Sequence, residues 1–148
     1  MPESETLERA AKDRRQGKAP STQAGEFVRE EIEHIREGKH GARSAKQAIA
    51  IGLSKARRAG VKLSPPKKGK ASKETREQAA RDVRKGQSAS KRKTSAKRSR
   101  ATLRALKQEG HSAASTLALS RHASSAAAKR SAASRSRSAK KAAATRKK

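Results

Sequence analysis

Lys91-Arg92-Lys93, with Lys97-Arg98 and Arg100, make one dense group of cations. Lys129-Arg130, Arg135, Arg137, Lys140-Lys141 and Arg146-Lys147-Lys148 make another, and Arg57, Arg58, Lys67, Lys68 and Lys70 add a third near the middle of the chain. Spaced by Ala and Ser, such side chains suit one chemistry above others. They neutralise the phosphates of a polyanion and release its condensed counterions. Each of these residues is therefore a candidate nucleic-acid contact. A charge run is more often just a solvated face, but 40 Lys and Arg against 13 Asp and Glu leave a formal net charge of +27. That surplus is too large for solvation alone to explain.

The other reactive residue types offer less. There is no Cys, which excludes disulfides, thiolate ligands and cysteine nucleophiles. His34, His40, His111 and His122 show no partner pattern. His34 and His40 lie six apart with a glycine between them, poor spacing for a metal, so all four read as surface or helix-end residues and no metal site is expected. Asp13 and Asp82 are expected to pair with neighbouring Arg or Lys along their own helices. No serine has a base partner and no glycine loop fits a phosphate-binding motif. The chain is thus expected to be no enzyme, with no cofactor and no small-molecule substrate. Ser134-Arg135-Ser136-Arg137-Ser138 is either a soluble spacer or a phosphorylation site that would weaken anion binding.

Which polyanion is bound follows from what is missing. With no Trp, no Tyr and one Phe, there is no aromatic platform for stacking bases. No helix carries a base-reading set of Asn, Gln and Arg. Duplex DNA gripped by its backbone fits best. The alternatives are an RNA- or ribosome-associated basic protein, or an interaction protein whose helical hairpin recruits a partner. Membrane-surface binding fits worse, because the basic segments lack a bulky apolar face. No stretch nears the ~20 apolar residues of a membrane span, and Met1 to Leu7 shows no secretory signal. The expected location is cytoplasmic and nucleoid-associated.

The elements that must position these cations are helical and thin in apolar content. Leu, Ile, Val and Phe together number 15 of 148 residues, about half the share below which a highly charged chain is expected to be largely disordered. The expected fold is all-α: a small helical hairpin plus short helices, with long disordered or conditionally helical basic segments. Residues 1–20 hold a short helix over 4–16. Residues 21–63 hold the hairpin, with helices over 21–37, capped by Ser21 or Thr22, and over 44–59, capped by Ser44. Phe27, Val28, Ile32, Ile35, Ile49 and Leu53 are its expected core. Such a hairpin is near the lower size limit for independent folding, so a homodimer through 21–63 is expected to complete it. Residues 64–73 read as a basic Pro/Lys linker, 74–122 as a weakly helical second module with a helix over 73–85 stopped by Gly86, and 123–148 as a disordered Ala/Ser/Lys/Arg tail.

The second module rests on a repeat. Residues 5–17 and 74–86 are identical at eight of thirteen positions at an offset of 69. Residues 35–44 and 106–115 are similar at an offset of 71. Charge is unevenly shared between the parts. Residues 1–40 carry 8 basic and 9 acidic residues, whereas 87–148 carry 18 basic and one acidic. A basic arm on a near-neutral head is implied, and the acidic face of 26–37 could hold that arm when no nucleic acid is present.

Two resemblances accompany this pattern. Ser44-Ala45-Lys46-Gln47-Ala48-Ile49-Ala50-Ile51-Gly52-Leu53-Ser54-Lys55-Ala56-Arg57-Arg58 resembles a short helix of small basic bacterial proteins, largely uncharacterised, some labelled DNA-binding or plasmid-stabilisation. The likeness spans about residues 25–62 and carries no established site residues. The C-terminal half is similar to the tail of a linker histone, with Ser64-Pro65-Pro66-Lys67-Lys68 resembling its Ser-Pro-Lys-Lys element. That likeness implies DNA compaction by charge.

Overall fold

The computed structural model describes residues 2–88 and 95–146, and every regular element among them is helical. In chain order these are α1 (Ser4–Arg15), α2 (Pro20–Arg36), α3 (Ala45–Arg58), α4 (Lys73–Gln87), α5 (Ala96–Lys107), a 3-10 turn (Ser112–Ala114), α6 (Thr116–Ala128) and α7 (Ala132–Arg146). Among the described residues, no helix is long and apolar enough to cross a membrane.

Local chemistry sets most boundaries. Glu5 lies in the first turn of α1 and Lys12, Arg14 and Arg15 in its last, an order that complements the helix dipole. α2 begins at Pro20 rather than at a Ser21 or Thr22 cap, and no side chain caps it. Proline suits the first helical position, where its missing N–H costs nothing and its φ is already helical. Ser44 caps α3 by accepting from the Gln47 N–H at 3.2 Å. At the other end Gly60 is left-handed (φ +94°) and the Val61 N–H returns to the Ala56 carbonyl, a Schellman closure.

The helices pack in sequence: α1 on α2, α2 on α3, α3 on α4. Two buried clusters lie between them. One joins Ala10, Ala24, Phe27 and Ala56, with Leu53, Val61 and Leu63 packed against it. The other joins Ile32, Ile35, Ala42, Ala48, Ala113 and Ala114, with Val28 and Leu119 against it. Ala48 lies with Ile35 and Ala56 with Phe27, so α2 and α3 run antiparallel. Of the expected core, Phe27, Ile32 and Ile35 are buried, while Val28, Ile49 and Leu53 are half-buried. The buried line of α3 is Ala45, Ala48, Gly52 and Ala56 instead. The reason is how closely the backbones approach: a Cβ on Gly52 would lie 2.6 Å from the Val28 Cα, so small residues face α2 and the isoleucine is pushed to the flank.

Other parts of the same chain cover the hairpin. Ala10 of α1 closes one cluster, and Ala113, Ala114 and Leu119 from the second module close the other. The second module repeats the helices of the first at the sequence offsets. α4 starts 69 residues after α1, α5 ends 71 after α2, and α6 starts 71 after α3. Ser115, 71 after Ser44, caps α6 by accepting from the Ala118 N–H, again at 3.2 Å.

Several boundaries drawn from sequence shift. Gly86 does not stop α4, which runs on to Gln87. A Cβ on Gly86 would lie 1.9 Å from the Arg57 carbonyl oxygen, so this glycine serves a close helix crossing. The division at 122/123 falls inside α6. The described part of 123–148 is helical except at 129–131, as the strong helix preference of alanine allows.

Candidate functional site

The candidate cations divide by location. Arg58, Lys67, Lys68, Lys70, Lys97, Arg98, Arg100, Lys129, Arg130, Arg135, Arg137, Lys140 and Lys141 are exposed. Arg57 is not. It is 8% exposed, its Nε donates to the Leu63 carbonyl at 3.2 Å, and burial pushes its guanidinium below the ordinary arginine range while Asp82 acts the other way. It pins the chain after α3 and is withdrawn as a phosphate contact. Being next to Arg58 in sequence says nothing about which side of α3 each occupies. Lys91, Arg92, Lys93, Lys147, Lys148 and the side chain of Arg146 lie outside the described residues.

α5, α6 and α7 carry most of the exposed candidate cations. Neither α5 nor α6 buries a residue, and no described side chain of α7 is buried. Arg100 and Arg104, one turn apart, flank a shallow concavity floored by Ala101 and Ala105. Arg104 was absent from the sequence candidates because it stands alone rather than in a run. The one carboxylate of residues 87–148, Glu109, faces Arg43 at 3.7 Å.

Among the described residues, most acids of α1 and α2 have partners nearby. Arg9 bridges Glu26 at 2.8 Å and also pairs with Glu5. Lys18 bonds Asp13 at 2.7 Å and Arg29 bonds Glu33 at 2.9 Å. Lys55 reaches Glu30 at 3.1 Å and Glu31 at 2.6 Å. Asp82 accepts from Ser54 at 2.7 Å and from Gln78 at 3.1 Å, with Arg58 at 3.8 Å. Its main partners thus include a residue of α3, not only neighbours along α4.

A second constellation was missed in the sequence. Glu31, His34 and His40 each bring one ligand-type atom within 4.8 Å of the other two. Gly38, left-handed at φ +75°, turns the chain back over α2. His40 is thereby buried (8% exposed) beside Glu31 rather than lying on the surface. Linear spacing misled because the turn shortens the path between residues 34 and 40. Glu3, ahead of α1, reaches the same place: its Oε1 lies 2.8 Å from His34 Nε2 and 3.1 Å from Lys39 Nζ. Those two hydrogen bonds hold its carboxyl below the usual range.

Residues 3–68 match a family of unknown function (DUF6496). The match takes in α1, α2, α3 and the basic stretch that follows, so it includes the Glu31–His34–His40 cluster and stops before α4. No curated protein and no solved structure matches the chain.

Proposed function

We propose that this protein binds nucleic acid by its phosphate backbone, duplex DNA before RNA and without reading sequence, as a nucleoid-associated, linker-histone-like protein would. The observation that carries this reading is the separation of charge. Residues 87–148 hold 18 basic residues and one carboxylate, and the described cations among them stand exposed on α5, α6 and α7. Compensation from residues 1–40 is scarce, because most of their acids are engaged by Arg9, Lys18, Arg29, Lys39 and Lys55. Charge left uncompensated on exposed helices attracts a polyanion and gains from counterion release.

The packed half, α1 to α4, serves as the anchor from which the basic helices project. Base stacking has no support, since the single aromatic residue, Phe27, is 1% exposed inside a cluster. The discriminating experiment is a salt-titrated binding series against duplex DNA, structured RNA and anionic vesicles. The expected result is tight duplex binding at low salt that weakens by about 0.9 log units per log unit of salt for each phosphate engaged. Absence of binding at low ionic strength, or a clear preference for structured RNA, would overturn it.

A further inference from the structure

Glu31 is buried, with 1% of its side chain exposed, and neither carboxylate oxygen has a hydrogen bond of good geometry. Lys55 Nζ lies 2.6 Å from Oε2 and balances that side. On the other side, His40 Nε2 lies 3.3 Å from Oε1. The His40 Nδ1 lies 3.1 Å from the Gly41 carbonyl oxygen, and a ring nitrogen facing a carbonyl carries the proton. A neutral His40 therefore turns the lone pair of Nε2 towards a carboxylate oxygen. Two acceptors that face each other in a buried place need a positive centre between them, either a proton that makes the pair a salt bridge or a metal ion.

We propose that Glu31 Oε1, His40 Nε2 and a ring nitrogen of His34 bind a divalent transition-metal ion, with Zn²⁺ the best chemical match. Two imidazoles and one carboxylate are a recognised zinc donor set that leaves the fourth position to water. Mg²⁺ and Ca²⁺ fit poorly, since they take oxygen ligands. Nitrogen and oxygen donors about 2.0–2.1 Å from a tetrahedral zinc stand roughly 3.3–3.4 Å from each other. The His40–Glu31 edge already has that length, and the remaining donor lies within the 4.8 Å limit of the cluster.

The surroundings suit an ion. The Gly41 carbonyl orients His40, Glu3 orients His34 through Nε2, and Lys55 holds the second oxygen of Glu31. Partners of this kind fix ligand orientation and strengthen binding. Three carboxylates (Glu3, Glu30, Glu31) face two ammonium groups (Lys39, Lys55) here, which leaves room for further positive charge. The ion would clamp the turn after α2 onto α2. The same turn receives the second module, for Gly41 N–H donates to Leu106 O at 2.9 Å and Ala42 N–H to Gly110 O at 3.0 Å. Metal binding would thus stiffen the joint between the packed half and the basic helices.

The test uses the full chain, stripped with chelator and titrated with Zn²⁺ against a competing chromophoric chelator, and with Co²⁺ for its visible spectrum. One ion per chain is expected, with the intense Co²⁺ absorption of four-coordination. Affinity should weaken on acidification, because protons compete with the metal for its ligands. His40→Ala and His34→Ala should each weaken binding at least ~100-fold, the upper end of what losing even an outer partner costs. His122→Ala should leave it unchanged. His34 is less buried than His40, and far-UV circular dichroism of each variant shows whether the helices persist. Failure to bind one ion per chain, or wild-type affinity in helical His34→Ala protein, overturns the proposal. Because no nucleic acid is present, the outcome is independent of the DNA-binding reading.

Discussion

Ser54 donates to Asp82 at 2.7 Å, and that bond ties α3 of the first module to α4 of the second. Asp82 repeats Asp13 at the offset of 69, yet the two do different work. Asp13 bonds Lys18 in the turn that follows its own helix, whereas Asp82, 2% exposed, gathers Ser54, Gln78 and Arg58. Asp82→Ala should therefore lower stability by about 1.5–3 kcal/mol, the range for hydrogen bonds to a charged group. Asp13→Ala should cost less, about 0–1 kcal/mol, because Lys18 is half exposed and its pair is screened. Urea unfolding of the two variants side by side would measure the contrast, and equal losses would contradict it.

Two glycines mark the closest helix crossings. A Cβ at Gly52 would meet the Val28 backbone at 2.6 Å, and one at Gly86 the Arg57 carbonyl oxygen at 1.9 Å. Neither neighbour can rotate away. Gly52→Ala and Gly86→Ala should each destabilise by roughly 1–3 kcal/mol, although alanine is the better helix former. Gly25→Ala, inside α2 with nothing within 4 Å of the added methyl group, should instead gain about 0.5–1 kcal/mol. Thermal melts of the three variants decide between crowding and helix propensity.

Acid should weaken the fold partly through Glu30. In the folded chain its carboxyl lies below the ordinary 4.5: burial acts to raise it, but the Glu3 N–H, the Thr6 hydroxyl and Lys55 together outweigh burial. A depressed folded value means that the ionised form stabilises the fold fully above the unfolded value. That contribution is lost as pH falls through the folded value beneath it. Glu30→Gln should be less stable than the wild type at neutral pH, and the gap should narrow below about pH 4. Melting curves at several pH values would reveal the convergence, and a gap constant with pH would exclude this account.

Arg57 and Arg98 should separate folding from binding. Arg57→Ala removes a buried guanidinium and its bond to Leu63, so melting temperature should drop. Per folded molecule, the salt slope of DNA binding should stay the same. Arg98→Ala should leave melting unchanged and reduce the slope by up to ~0.9. Deleting residues 129–148, which carry nine cations, should reduce it by several times that amount. Under the binding reading, a slope unmoved by that deletion would place the phosphate contacts elsewhere.

Much of this molecule was legible in the order of its residues, because the information is local. The limits of α1 and α3, the Ser44 cap and the Gly60–Val61 closure follow from dipole, capping and left-handed glycine chemistry within a turn or two. The repeat shows in the order of residues, and the charge surplus needs only counting. What folding alone decided depends on which backbones come close. Gly52 draws α2 and α3 together, which sets Ala45, Ala48 and Ala56 inside and Ile49 to the side. Gly86 rests on Arg57, which turns a presumed phosphate contact into a buried strut. Gly38 bends His40 onto Glu31, joining residues whose linear spacing argued against a site. Periodicity reports which face of a helix is apolar; it carries no record of the distance to the next helix, and that distance selects the small residues and gathers the donors.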